Sequence, residues 1–126
     1  MRNARNPAPI YKITLLNKSI LTDFGKYLYT EVKRHEAMEI LRGAVRDGIP
    51  IESAIGCKAT AKILTVLLDY PVEVNLIEFK QTQRDVALVF KLTQLPPEGK
   101  TLTFEEIQAI GYEFGLLIKE GGDGGL

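Results

Sequence analysis

The chain has 126 residues, 45% of them hydrophobic and 25% charged, the balance of a single globular domain with one core. Its 16 basic and 16 acidic residues cancel to a formal net charge of zero, which argues against a dedicated binder of long DNA or RNA but leaves room for a local basic groove. One Cys allows no intrachain disulfide, one His beside it cannot complete a zinc site, and no apolar run approaches the ~18 residues of a membrane span, so a cytoplasmic protein without a metal or other cofactor is expected.

Residues 1–10 read as a loose arm, because Pro7 and Pro9 oppose regular structure and no apolar stretch follows the early charges as it would in a signal peptide. The domain proper is placed at residues 11–119. Tyr11 to Leu16 alternates and is β-prone, predicting a strand that ends in the polar turn Asn17-Lys18-Ser19. Tyr27-Leu28-Tyr29 reads as a short strand. From Lys33 to Asp47, Ala37, Ile40, Leu41, Ala44 and Val45 recur at helical spacing, and Gly48 with Pro50 stops that helix. A second helix is predicted over 58–68, with Ile63, Leu64, Leu67 and Leu68 as its buried stripe and Asp69-Tyr70-Pro71 as its stop. Val72 to Lys80 and Val86 to Thr93 both read as strands, and the polar link between them predicts a hairpin. In the second of these, Val86, Leu88, Phe90 and Leu92 share one face. The loop Gln94 to Lys100 follows. Thr103 with Glu106 fits a capping box for a short helix from Phe104, ended by Gly111, and Tyr112 to Ile118 reads as the last strand. Residues 120–126 read as a flexible Gly-rich tail. The order predicts an α+β domain, a mixed sheet packed by helices.

The segment Ser53-Ala54-Ile55-Gly56-Cys57-Lys58-Ala59-Thr60 carries the most chemistry. It places a flexible Gly, the only Cys and a Thr at a helix start, where unpaired N–H groups and a partial positive charge form a natural seat for phosphate and acidify a thiol. Composition alone favours a plainer reading for each candidate. Cys57 is then a small buried apolar side chain, Glu98 a solvated turn residue rather than an acid or base, and Asn17 and Ser19 ordinary turn formers rather than phosphate donors. His35 reads as a surface residue. Leu76 interrupts a face that turns polar towards Glu78 and Lys80, which marks either a shift in the buried boundary or contact with another chain.

Ala54-Ile55-Gly56-Cys57-Lys58-Ala59-Thr60-Ala61, Val74-Asn75-Leu76-Ile77-Glu78, Pro97-Glu98-Gly99-Lys100 and Gly111-Tyr112-Glu113-Phe114-Gly115-Leu116-Leu117, in this order and spacing, resemble the viral ring nucleases, the anti-CRISPR enzymes directed against type III CRISPR defence. The resemblance spans about Ile13 to Lys119. It implies a small α/β homodimer that binds cyclic tetra-adenylate, a cyclic oligoadenylate messenger, in a groove across the dimer. It also implies metal-independent cleavage, by attack of a ribose 2′-OH on the adjacent phosphate. By the same resemblance Cys57 stands at the family's catalytic His and Glu98 at its loop Glu. Ser19, with Asn17 close by, matches a ligand contact after the first strand. Thr60 matches a Thr in the first helical turn beside Gly56. Leu76 and Leu95 stand where relatives carry Arg.

These departures point one way. A thiol is a poorer proton donor than imidazole near neutral pH, and loss of general-acid catalysis typically costs about 10²–10⁴ in rate. Each Arg replaced by Leu removes a charge-assisted bond to phosphate. The expectation is a cyclic-oligoadenylate-binding homodimer with weak, altered or absent cleavage. The alternatives are a nucleotide sponge or protein-interaction module on the same fold, and a thiol enzyme that uses Cys57 as nucleophile.

Overall fold

The computed structural model describes residues 12–94 and 102–120. Five strands form one mixed sheet in the order β2-β5-β4-β1-β3, with β1 at Lys12–Leu16, β2 at Tyr27–Val32, β3 at Ile51–Ser53, β4 at Asp85–Leu92 and β5 at Tyr112–Lys119. The helices are α1 at Arg34–Asp47, α2 at Lys58–Leu68 and α3 at Phe104–Ile110. The α+β class expected from the sequence is the one observed.

Strand β1 is the hub. It pairs in parallel with β3 on one side, Leu15 opposite Ser53, and with β4 on the other, Leu16 opposite Val89. β5 then runs antiparallel between β4 and β2, with Phe90 opposite Phe114 and Tyr29 opposite Leu117. The parallel strands therefore all release their chains at one edge of the sheet.

The period-two pattern of β4 sorts the core. Val86, Leu88 and Phe90 join Ile13, Leu15 and Phe114 on the face that carries all three described helices. There they meet Ala37, Leu41 and Ala44 of α1, Ile63, Leu64, Leu67 and Leu68 of α2, and Ile107 of α3. The opposite face is smaller: Leu16, Ala87, Val89 and Leu117 are buried beneath Tyr27, Ala54 and Phe79.

Helix ends follow local chemistry. α1 closes on Gly48, whose left-handed backbone (φ 73°) costs glycine nothing and turns its N–H back to Ala44 and Val45. At α3 the expected capping box is formed, with Glu106 N–H donating to Thr103 Oγ1 at 3.2 Å and Thr103 N–H to Glu106 Oε1 at 2.9 Å.

Two expectations are corrected. Residues 72–80 form no strand and no hairpin with β4. Both edges of β4 are already taken, by β1 and β5, so no hydrogen-bonding position remains for a hairpin partner. The segment instead runs as an irregular strap past β3, and Phe79 near its end packs on the smaller face of the sheet. Conversely, β3 has no counterpart in the sequence reading. It is three residues long, too short to show a period, and its partner β1 lies far away along the chain. The arm at 1–10, Leu95, Glu98 and all but the first residue of the tail at 120–126 lie outside the described residues.

Candidate functional site

The site lies where the parallel strands end. Ala54 N–H donates to the Leu15 carbonyl at 3.0 Å, so the chain leaving β3 towards Gly56 departs beside the chain leaving β1 towards Asn17. In open sheets with parallel strands, the crevice beyond the carboxyl ends is the usual place for a ligand. Asn17, Lys18 and Ser19 are exposed there. β4 continues past β1 to Leu92, and the loop that carries Glu98 starts from the same edge.

Ile55 is fully buried and anchors the turn, after which Gly56 and Cys57 emerge into solvent. Cys57 is the N-cap of α2, with extended backbone (φ −109°, ψ 124°). No side chain closes this helix end and no acidic residue lies in its first turn, so its positive end is uncompensated from within the helix. Lys58, exposed, adds a full positive charge beside it.

The plain reading of Cys57 as a buried apolar side chain is thus corrected, because the thiol is exposed. Its pKa lies below the usual thiol value. The Thr60 backbone N–H has the largest effect and the Thr60 hydroxyl the next, while slight burial opposes them and the Ala59 N–H adds to them. These donors do not make a geometrically closed cap, yet they face the sulfur closely enough to favour the thiolate. Thr60 itself is half-buried in the first turn. The arrangement can hold an anion; as a proton donor near neutral pH it is weak.

The structure adds residues that sequence reasoning passed over. Asn75 Nδ2 donates to the Ser53 carbonyl at 2.7 Å, and Asn75 N–H donates to the Ile55 carbonyl at 2.8 Å. Ser53 Oγ donates to the Glu73 carbonyl at 2.6 Å and accepts from Ile55 N–H at 3.2 Å. The strap is thereby fastened along the segment that leads into α2. Leu76, the next residue, lies so close to Gly56 that a Cβ added there would stand 2.7 Å from Leu76 Cδ1. The sequence had marked Ser53 in the segment before α2 and Asn75-Leu76 in a resemblance motif, but not the bonds that join them. His35 is exposed on α1 and takes no part in this turn. Among the described residues, no group of three His, Cys, Asp or Glu side chains could hold a metal ion.

The fold and its edge define a class: a small domain with its helices on one face of a mixed sheet and an open helix start beyond the parallel strand ends. The chain belongs to the STIV B116-like family, whose model matches residues 13–114. It is similar to the uncharacterized protein YddF of Bacillus subtilis (strain 168), 31% identical over 108 residues that cover 86% of this chain and 97% of YddF. It is also similar to uncharacterized protein 26 of Sulfolobus islandicus filamentous virus (isolate Iceland/Hveragerdi), 38% identical over 65 residues, 51% of this chain and 55% of that protein. The solved structure of B116 from Sulfolobus turreted icosahedral virus shares the fold, with a TM-score of 0.74 at 23% identity, over 85% of this chain and 98% of B116. The family therefore has relatives in archaeal viruses and in a bacterium. No helix among the described residues is long and apolar enough to cross a membrane.

Proposed function

We propose that this protein is a ring-nuclease-type homodimer that binds a cyclic oligoadenylate, cyclic tetra-adenylate, at the α2 start and cleaves it slowly or not at all. The observation that carries the reading is the open start of α2 at Gly56-Cys57, exposed beyond the parallel strand ends and flanked by Lys58. Backbone N–H groups there suit a phosphate, and the exposed Asn17 and Ser19 follow the neighbouring strand. The four-part resemblance in the sequence supplies the ligand class and the dimer. It also supplies the anti-CRISPR setting, in the cytoplasm, that of the host cell if the protein is viral.

The chemistry follows from the groups present. Attack of a 2′-oxygen on the adjacent phosphorus forms a cyclic 2′,3′-phosphate and expels the 5′-oxygen, which must gain a proton. Cys57, its pKa lowered towards the thiolate, is a poorer proton donor than an imidazole, and in its thiolate form it would repel the oxyanion that develops beside it. Water then accepts the 2′-hydroxyl proton and protonates the leaving 5′-oxygen, and catalysis rests on holding the 2′-oxygen in line. Leu76 contributes no charge to the phosphates. Glu98 retains the supporting role that the resemblance assigns to it.

The test mixes purified protein with labelled cyclic tetra-adenylate. Micromolar or tighter binding with slow appearance of linear di-adenylate is expected. Rapid conversion would sink the slow-cleavage reading, and no binding at micromolar ligand would sink the ligand reading. One observation favours a second reading, a module that binds a protein partner: Leu76 is 87% exposed, an apolar surface at the mouth of the site.

A further inference from the structure

Leu76 of the strap lies against Gly56 at the α2 start, and the way the strap is fastened separates position from identity. Two of the three hydrogen bonds that tie residues 73–75 to residues 53–55 depend on the side chains of Asn75 and Ser53; the third, Asn75 N–H to Ile55 O, is backbone alone. None uses the side chain of residue 76. The backbone at 76 is therefore held beside Gly56 whatever side chain it carries. The side chain present is Leu, pressed on the bare face of Gly56 with most of its surface in water. A large aliphatic group held in that position by its neighbours is an apolar contact surface left open at the site.

We infer that Asn75 and Ser53 are positioning residues that fix residue 76 at the α2 start, and that Leu76 is a specificity-determining residue there, an apolar wall for the face of a nucleobase. This rests on the reading of the site as a nucleotide seat. The division of labour is simple: the phosphate faces the α2 N–H groups and Lys58, while the base lies on Leu76. A nucleobase face is planar and weakly hydrated, and covering a Leu side chain with it removes apolar surface from water on both partners.

Two measurements test the two halves separately. The first needs no ligand. Leu76→Arg places a guanidinium on the turn that carries the Cys57 thiol, and a nearby cation favours thiolate. The pH profile of Cys57 alkylation by iodoacetamide is expected to move to lower pH than in the unaltered protein. Combining Leu76→Arg with Asn75→Ala and Ser53→Ala loosens the strap to its one backbone bond, and most of that displacement should vanish. Lys58 neighbours the thiol in every variant and cancels from the comparison. An equal displacement in the single and triple variants overturns the positioning role. If the triple variant does not fold by circular dichroism, Asn75→Ala with Leu76→Arg gives the same comparison on one fewer change.

The second measurement titrates labelled cyclic tetra-adenylate at fixed salt. Leu76→Ala is expected to weaken binding about tenfold, as loss of one covered Leu implies, and Leu76→Met to retain it. Equal affinity of Leu76→Ala and the unaltered protein overturns the apolar wall. If no form of the protein binds while the alkylation displacement stands, the nucleotide reading falls together with Leu76 as its wall, and the positioning residues survive.

Discussion

Cys57→His tests whether proton donation is what the site lacks. Cys57 is an exposed N-cap with extended backbone, so an imidazole can stand there without entering the core. The helix start disfavours a positive ring by about 0.3–1 kcal/mol, which lowers a pKa of ~6.5 to roughly 6. At pH 7 about one ring in ten then carries the proton that the 5′-oxygen needs. A general acid contributes about 10²–10⁴ in rate, so the net gain at pH 7 is roughly 10- to 10³-fold. The rate should rise further as pH falls towards about 6 and level off below it, since the donating form is then saturated. The assay is single-turnover conversion of labelled cyclic tetra-adenylate to linear di-adenylate between pH 5 and 8, with protein in excess and a chelator present. Equal rates for Cys57→His and the unaltered protein across that range, with equal binding, would refute the claim that a missing acid limits cleavage.

Further outcomes follow from the same geometry. The depressed Cys57 pKa favours the thiolate in the folded protein, so iodoacetamide alkylation should reach half its plateau at a lower pH than in the urea-unfolded chain. Thr60→Val should return it only part of the way, because the larger Thr60 N–H effect remains. Leu76→Arg should make cyclic tetra-adenylate binding more sensitive to salt, because a charge-assisted contact to phosphate replaces the apolar wall, read by titration at two ionic strengths. Leu67→Ala, at a fully buried position of α2, should cost about 2–5 kcal/mol in urea unfolding without moving the alkylation profile. Lys12, hydrogen-bonded to Glu52 at 2.8 Å, has its pKa raised, so its contribution to stability is present below pH 10.5 and is lost as pH rises through the raised value. Both side chains are more than a third exposed, so Lys12→Met should cost under about 1 kcal/mol at pH 7.

The elements that the sequence disclosed are those whose signals are local. α2 begins and ends where its apolar stripe and Asp69-Tyr70-Pro71 place it, and α3 begins at the Thr103 capping box. β4 shows its two faces because eight residues allow a period to register. The failures at β3 and the strap are coupled and non-local. Val72 to Lys80 has the composition of a strand, but strand formation needs a free edge, and β4 had none to offer. The edge beside β3 was available, yet the contacts made there are isolated bonds through Asn75 and Ser53 rather than a ladder. At the site, the helix start and the exposure of Asn17 and Ser19 were legible from turn chemistry. The exposure of Cys57 was not, because a free thiol is buried more often than not and only the depth of Ile55 decides how soon the chain surfaces.

The two faces of the sheet are guarded unequally, and this bears on how the protein can change. Helices, which satisfy their own backbone, cover one face. The strap helps to cover the other, where Phe79 shields Ala87, Val89 and Leu117. The same nine residues that carry Leu76 to Gly56 thus keep a β-prone surface dry. A substitution that loosens the strap for the sake of a new ligand also uncovers sheet, so altered specificity and loss of solubility should travel together. Residue 76 escapes that bind, because it contributes neither to the fastening nor to the shield, and it is the position at which this scaffold can change its ligand at least cost.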